Sequence, residues 1–390
     1  MPSRQPHNCS VRMSQVKMSQ VMKTRLFWIG PVALASLISV AATAGAQTKA
    51  ATASATAKPP AASAKAPAAP KKQAVKPSTR YSATRSRNRK AALARARATA
   101  LAKALAEAVP RYKTDANGAV VPDLHAEAAI IYDPETNEIL WEQNSQELRS
   151  IASITKVMTA TVFLEDNPDL TQPVTIARSD VYRASTTHLR ANDQVTADDL
   201  LHLLLIASDN AAARALARIS TYGSAGFVDR MNAKAFELGL ESTSYADPSG
   251  LLSDNVSSAF DMARLITLAS SDDRIGSIMR TSEYTVQTAN SKPRTITFRS
   301  TNHLLGRPDV DVLAGKTGFI SKAGYCIVTL LRLPQGGPQV AVVVLGARSN
   351  AGRFLETRNL FDWLSTKTSA IFSAASSPAS PAAAPQAQVQ

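Results

Sequence analysis

Cysteine is nearly missing from this chain: 390 residues hold two, Cys9 and Cys326. Cys9 falls in an N-terminal stretch with the marks of a removable export signal, so the mature protein is expected to keep one thiol and no intramolecular disulfide. Cys326 sits in the apolar run 324–328, which reads as a strand with a buried structural thiol rather than a nucleophile. Acidic side chains are missing from the front. Residues 1–46 carry five basic and no acidic groups, and residues 47–113 carry sixteen basic and one acidic. The balance then reverses, with twenty-three basic and twenty-nine acidic groups over the rest. The formal charge of +14 therefore belongs to the front, and a mildly acidic remainder argues against a nucleic-acid-binding core. Beyond residue 42 no segment reaches the roughly 18 consecutive apolar residues a membrane span needs. The five histidines form no His-x-x-x-His pair, which removes the helical zinc-peptidase pattern. No Gly-x-Ser-x-Gly surrounds Ser153, which removes the nucleophile elbow of the Ser-His-Asp hydrolases.

What is present divides the chain into four parts. Lys23 and Arg25 precede an apolar run over 26–42, and Ala44-Gly45-Ala46 is a small-x-small cleavage site. Residues 1–46 thus read as a signal peptide, with Met18 and Met22 as alternative starts. Residues 47–113 form a basic Ala/Lys/Pro-rich linker. Its part over 47–90 has too few large apolar side chains to offset the entropy of ordering and is expected to be disordered, whereas a helix is predicted over 91–108. The linker fits a tether to anionic wall polymer or membrane surface, and equally a solvated spacer. Residues 365–390 are an Ala/Pro/Ser-rich tail expected to be disordered. Between them, residues 124–364 form the folded unit. A hairpin over 126–142 turns at Asp133-Pro134-Glu135-Thr136-Asn137. Helical periodicity follows from 153 to 271, clearest at 200–206 and 211–219. Strand patterns return at 310–313, 325–333 and 340–345, and a helix is expected at 355–364. Strands at both ends with helices inserted between them predict one α+β domain carrying a helical lobe.

Three short motifs occur in order: Ser153-Ile154-Thr155-Lys156, Ser208-Asp209-Asn210 and Lys316-Thr317-Gly318. None is decisive alone. Ser14 and Lys17 repeat the first spacing in the leader, and Ser253-Asp254-Asn255 repeats the second. A serine hydroxyl is a poor nucleophile until a base takes its proton. Residues three apart on a helix share a face, so Lys156 can reach Ser153, and a helix start favours the developing negative charge. A desolvated lysine there can stay neutral and act as general base. Ser208 and Asn210 lie at a corner between two helices, placing a proton-shuttling hydroxyl and a carboxamide for the substrate amide. Asn255 and its neighbours are explained more cheaply as a turn, followed by a capping pattern at Ser258 and Asp261. The third motif lies on a strand over 312–318, whose edge can pair with an extended peptide. Lys316 offers positive charge to a carboxylate, Thr317 a hydroxyl, and Gly318 room for close approach. The backbone N–H groups of Ser153 and Phe319 could form an oxyanion hole.

This trio resembles the penicillin-recognising serine peptidases, whose pattern includes S-x-x-K, S-x-N and K-T-G. The likeness extends to Arg149-Ser150-Ile151-Ala152 before the nucleophile, Thr159-Ala160 after it, Thr301-Asn302-His303-Leu304-Leu305, Asn255-Val256-Ser257-Ser258-Ala259 and Ala323-Gly324-Tyr325-Cys326. Over about 124–364 the chain is similar to the low-molecular-mass penicillin-binding proteins of the D-alanyl-D-alanine carboxypeptidase/endopeptidase family, most of all to its endopeptidases. The resemblance implies a β-lactamase/transpeptidase-like fold, an antiparallel sheet flanked by helices. It implies acylation of Ser153 by peptidoglycan stem peptides, covalent inhibition by β-lactams, no metal or cofactor, and a place in the periplasm or cell wall. Carboxypeptidase relatives often append a β-rich domain and an amphipathic helix, so a chain ending soon after 364 fits the endopeptidases better. A non-catalytic wall-binding scaffold competes, though all the motif side chains are intact. A β-lactamase would need a Glu-x-x-x-Asn pattern between the second and third motifs, and none occurs. His303 reads as a packing residue bordering the cleft.

Overall fold

A computed structural model describes residues 79–376. The predicted signal peptide, the linker up to residue 78 and the tail beyond 376 lie outside the described residues. The first element, α1 (Thr79–Ala108), begins twelve residues before the expected helix start at 91. Residues 79–90 are poor in large apolar groups, which suggested disorder, but they contain no proline or glycine and continue the same helix-forming composition. The side chains over 86–99 are exposed. A short hairpin follows, β1 (Tyr112–Thr114) with β2 (Val120–Pro122), so ordered structure begins ahead of residue 124. Its turn is held by the Asp115 carboxylate, which accepts from the N–H groups of Asn117 and Ala119 at 2.9 and 2.8 Å.

The predicted hairpin is present as β3 (Ala128–Asp133) and β4 (Glu138–Gln143). The chain then passes through β5 (Arg149–Ser150) and a 3₁₀ turn (Ala152–Ile154) into α2 (Thr155–Leu164). The inserted helical lobe contains β6 (Pro173–Thr175), α3 (Arg178–Val181), β7 (Gln194–Thr196), α4 (Ala197–Leu205), α5 (Asn210–Ile219) and α6 (Gly223–Glu237). After β8 (Val256–Ser257), α7 (Ala259–Ser270) and α8 (Asp273–Met279) lead to a hairpin of β9 (Glu283–Gln287) and β10 (Thr295–Arg299). The small pairs β6–β7 and β9–β10 interrupt a region whose sequence reads as mainly helical, because strands of three to five residues leave little periodicity to detect.

Three long strands close the fold: β11 (Asp311–Ile320), β12 (Gly324–Arg332) and β13 (Gln339–Ala347). The central sheet is antiparallel in the order β11-β12-β13-β3-β4. The inner strands β12, β13 and β3 are apolar runs rather than alternating ones because both faces are covered. Ile130, Val343 and Leu345 pack with the helical lobe. Ile131, Val342 and Val344 pack on the other face against the last helix, α9 (Asn350–Ser376), through Leu360, Phe361 and Leu364. That helix starts five residues before the expected 355 and continues twelve residues beyond 364, so residues 365–376 of the predicted disordered tail are helical. Alanine and serine there read as low complexity, but an established helix propagates through them at small cost. Trp363 Nε1 donates to the Val120 carbonyl at 3.1 Å and fastens the β1–β2 hairpin to α9. The fold is α+β with an inserted helical lobe, and β11 is left with one unpaired edge.

Candidate active site

Ser153 lies in the 3₁₀ turn that opens onto α2, with Ala152 before it at φ +50°. A non-glycine residue in that region is costly and persists only where its surroundings enforce it. Two glycines do so. A Cβ on Gly250, itself at φ +77°, would lie 2.1 Å from the Ala152 carbonyl oxygen. A Cβ on Gly318 would lie 2.7 Å from the Ile151 carbonyl oxygen and 3.0 Å from the Ser153 nitrogen. The backbone of β11 and the turn at 247–250 therefore press directly on the serine's own peptide. From the first turn of α2, Lys156 Nζ donates to Ser153 Oγ at 3.0 Å. It also donates to Asn210 Oδ1 at 2.6 Å and to the Ser249 carbonyl.

The second motif occupies the corner between α4 and α5. Ser208 adopts φ +60°, and Asp209 caps α5 by accepting from Ala211 N and Ala212 N at 2.9 and 3.0 Å. The same carboxylate accepts from His188 N at 2.6 Å, fixing the neighbouring loop. Asn210 is buried, and its Nδ2 donates to the Ala184 carbonyl at 2.6 Å while its oxygen faces Lys156. The duplicate motif behaves differently. Asn255 Oδ1 accepts from Ala246 N, and its Nδ2 donates to Asp247 Oδ2 and the Leu252 carbonyl. It thus builds the turn that carries Ser249 and Gly250 against the site. Ser258 Oγ accepts from Asp261 N as a helix cap, but the Asp261 carboxylate turns to Ser242 and Thr243 rather than back to the cap.

The third motif lies on β11, at the open edge of the sheet. Lys316 Nζ donates to Ser208 Oγ and to the Thr317 carbonyl, both at 2.8 Å. Thr317 Oγ1 donates to Thr301 Oγ1 at 2.7 Å. Both lysines are sealed from solvent. Burial is the main cause that lowers Lys156 to about 7, against partial compensation by Asp209 and Asp247. Burial also holds Lys316 well below the ordinary lysine value, with the Lys156 and Arg353 charges acting the same way. Two hydroxyls thus face one opening, each hydrogen-bonded to an amine whose proton affinity burial lowers.

The opening is a cleft of about 420 Å³. Of the eight residues singled out in the sequence, Ser153, Ser208, Asn210, Thr317, Gly318 and Phe319 line it. Lys156 and Lys316 stand behind, reaching it through the two serines. His303 is not among the lining residues; it stacks on Phe354 of α9 with ring centroids 4.9 Å apart, beside a separate pocket. That differs from the expected place at the cleft border, because α9 starts early enough to offer Phe354 as a partner. Arg353 was missed. It enters the cleft from α9, on the far side of the sheet from α2 in sequence, and no local pattern marks it. Cys326 is fully buried, and burial pushes its thiol up to about 11.

Residues 115–349 match the family described as D-alanyl-D-alanine carboxypeptidase. The chain is 33% identical over 253 residues to the D-alanyl-D-alanine endopeptidase of Escherichia coli (strain K12), covering 64% of this chain and 81% of that protein. It is 35% identical over 247 residues to a protein of the same name from Pseudomonas aeruginosa, covering 63% and 78%. Among solved structures, the Streptomyces K15 DD-transpeptidase is similar with a TM-score of 0.59 and 29% identity, over 62% of this chain and 97% of that one.

Proposed function

This chain belongs to the D-alanyl-D-alanine carboxypeptidase family, and we propose that Ser153 is its acylated nucleophile in the hydrolysis of peptidoglycan stem peptides. The observation that carries the assignment is the pairing of Ser153 with a buried, proton-poor Lys156 at 3.0 Å, inside a cleft that also holds the Ser208–Lys316 pair. The protein is a serine D,D-peptidase, a hydrolase of the penicillin-binding kind. Neutral Lys156 takes the Ser153 proton as Oγ adds to the carbonyl carbon of a D-alanyl residue. The resulting oxyanion is received by the N–H groups of Ser153 and Phe319, a role supported by the close approach of Gly318, the residue before Phe319, to the Ser153 nitrogen. Ser208, hydrogen-bonded to Lys316, relays a proton to the departing amine as the C–N bond breaks. Water then attacks the acyl-enzyme by the same route in reverse. Asn210 holds the substrate amide from the edge of the cleft while its oxygen keeps Lys156 in place. Thr317 and Lys316 meet the substrate carboxylate, and the free edge of β11 pairs with the peptide backbone. A β-lactam enters the same path and stalls as the ester on Ser153.

Cross-link cleavage is the preferred activity in this reading, in keeping with the names of the relatives at 33% and 35% identity. Digestion of purified muropeptides with the protein and with Ser153→Ala tests it. Dimers converted to monomers only by the unsubstituted enzyme are expected. Release of a single terminal alanine from pentapeptide, with dimers untouched, would make it a carboxypeptidase. No uptake of labelled penicillin at Ser153 would turn the reading toward a non-catalytic scaffold. The protein works outside the cytoplasm, in the periplasm or at the wall, with residues 1–46 as its export signal, 124–364 as the peptidase domain, and the basic linker as an electrostatic tether to anionic wall polymer or membrane surface.

A further inference from the structure

The guanidinium of Arg353 lines the cleft yet gives both Nη1 hydrogens and one Nη2 hydrogen to the protein, while its buried Nε finds no partner among the described residues. Arg353 is 6% exposed. Its Nη1 donates to the Gly318 carbonyl at 2.9 Å and to the Cys326 carbonyl at 3.1 Å, and Nη2 donates to Asn350 Oδ1. Its guanidinium carbon also lies over two aromatic rings, 4.9 Å from the centroid of Phe354 and 5.6 Å from that of Tyr325. Tyr325 in turn stacks on Phe319 at the cleft rim, centroids 4.2 Å apart, and Phe354 stacks on His303. The pairwise contacts thus link His303, Phe354, Arg353, Tyr325 and Phe319 in that order, with the cation in the middle.

The Gly318 carbonyl and the Phe319 N–H are the two ends of one peptide group. In a planar trans peptide they point in opposite directions. Gly318 is paired with Cys326 on β12, and Arg353 Nη1 bridges the carbonyls of that pair, so the Gly318 oxygen is held on the β12 side. The N–H of the same plane is therefore aimed at the unpaired edge of β11, over the cleft. A cation on the carbonyl also draws charge from the amide nitrogen and strengthens its N–H as a donor.

We propose that Arg353 is a positioning residue for oxyanion binding, acting through the Gly318 carbonyl to orient and polarise the Phe319 N–H. This rests on the assignment of Ser153 as nucleophile and of the two N–H groups as the oxyanion hole. The rival role for a cleft guanidinium is direct contact with the substrate carboxylate. It is disfavoured because both Nη1 hydrogens are taken by backbone carbonyls and the side chain is almost wholly covered.

The two roles separate when the probe lacks a carboxylate. Full-length Arg353→Met, Arg353→Lys and Asn350→Ala proteins, each held below its melting temperature, are compared with the unsubstituted enzyme using benzylpenicillin and phenylboronic acid. With the boronic acid, Ser153 Oγ adds to trigonal boron, the serine proton passes to Lys156, and the tetrahedral anion carries a hydroxyl where the oxyanion would sit. Arg353→Met is expected to lower the acylation rate constant with benzylpenicillin and the affinity for phenylboronic acid alike, each by about tenfold to a hundredfold, with the pre-acylation dissociation constant little changed. Arg353→Lys, which keeps a charge near the carbonyl, regains part of both; Asn350→Ala loses a smaller part of both. A loss confined to benzylpenicillin would place the guanidinium on the carboxylate and overturn the proposal, as would no loss with either probe. Should Arg353→Met fail to fold, the other two variants decide by the same pattern. Labelled penicillin bound covalently by Ser153→Ala protein would instead remove the nucleophile assignment itself.

Discussion

In the proposed mechanism, Lys156 is the side chain on which the chemistry depends most. Its amine is lowered to about 7 chiefly by burial, so the neutral form that can accept a proton grows as pH rises through 7. The penicillin acylation rate is expected to climb with pH and level off above 8, and at pH 5 to lie roughly a hundredfold below the plateau. A flat stopped-flow profile between pH 5 and 8 would exclude Lys156 as the base. The same shift affects stability. The unfolded chain keeps a lysine proton up to about 10.5, whereas the folded chain sheds it near 7. Between those values the unfolded state binds more protons, so stability rises with pH at about 1.4 kcal/mol per unit from this group. Below 7 both states are protonated and the full penalty remains. Urea midpoints measured from pH 7 to 9 are expected to rise more steeply for the unsubstituted protein than for Lys156→Met.

At the scale of elements, the site is a meeting of a helix start, a helix corner and a strand edge, and glycine decides how closely they meet. Gly250 combines φ +77° with a Cβ position 2.1 Å from the Ala152 carbonyl oxygen. Gly250→Ala is therefore expected to cost on the order of 2–4 kcal/mol, measured as a lowered denaturant midpoint, together with slower acylation, because relief must come from the peptide of Ser153. An alanine there with unchanged stability and rate would mean that the turn at 247–250 is not what holds the nucleophile. The helix pattern at 200–206 and 211–219 and the long strands were legible because each presents several turns or residues of one period. The three-residue strands β6 and β7 were not, since pairing rather than periodicity creates them. The extents of α1 and α9 were misjudged in one direction, as low-complexity composition was read as disorder where it lacks only core-forming side chains, not helix propensity.

At the scale of the molecule, charge separates the basic N-terminal stretch from the mildly acidic catalytic body. In α1 the side chains over 86–99 are all exposed, and Arg87, Arg89, Lys90, Arg95 and Arg97 are among them without an acidic neighbour in that stretch. These cations lie around the helix rather than along one stripe, which suits a polyanion more than the acyl boundary of a bilayer. Protein lacking residues 1–109 is expected to bind isolated sacculi several-fold more weakly at low salt, a difference that shrinks near 0.5 M as screening sets in, while cleavage of soluble muropeptides stays unchanged. Equal retention of both proteins on sacculi in a sedimentation assay would leave the stretch a spacer.

The amino-acid sequence by itself determined the local pairing that the proposed mechanism uses. The three-residue interval from Ser153 to Lys156 lets a hydroxyl and an amine share one face across the 3₁₀ turn and the first turn of α2, and the apolar runs from 310 to 345 specify strands buried on both sides. Only the tertiary structure decided between Ser208-Asp209-Asn210 and Ser253-Asp254-Asn255, sealed both lysines from water, and brought Arg353 from α9 to the Gly318 carbonyl. Local spacing is a property of the backbone helix and survives in sequence. Desolvation, and with it proton affinity, arises from contacts between segments more than a hundred residues apart, such as Ser208 with Lys316, and no short window of sequence contains them.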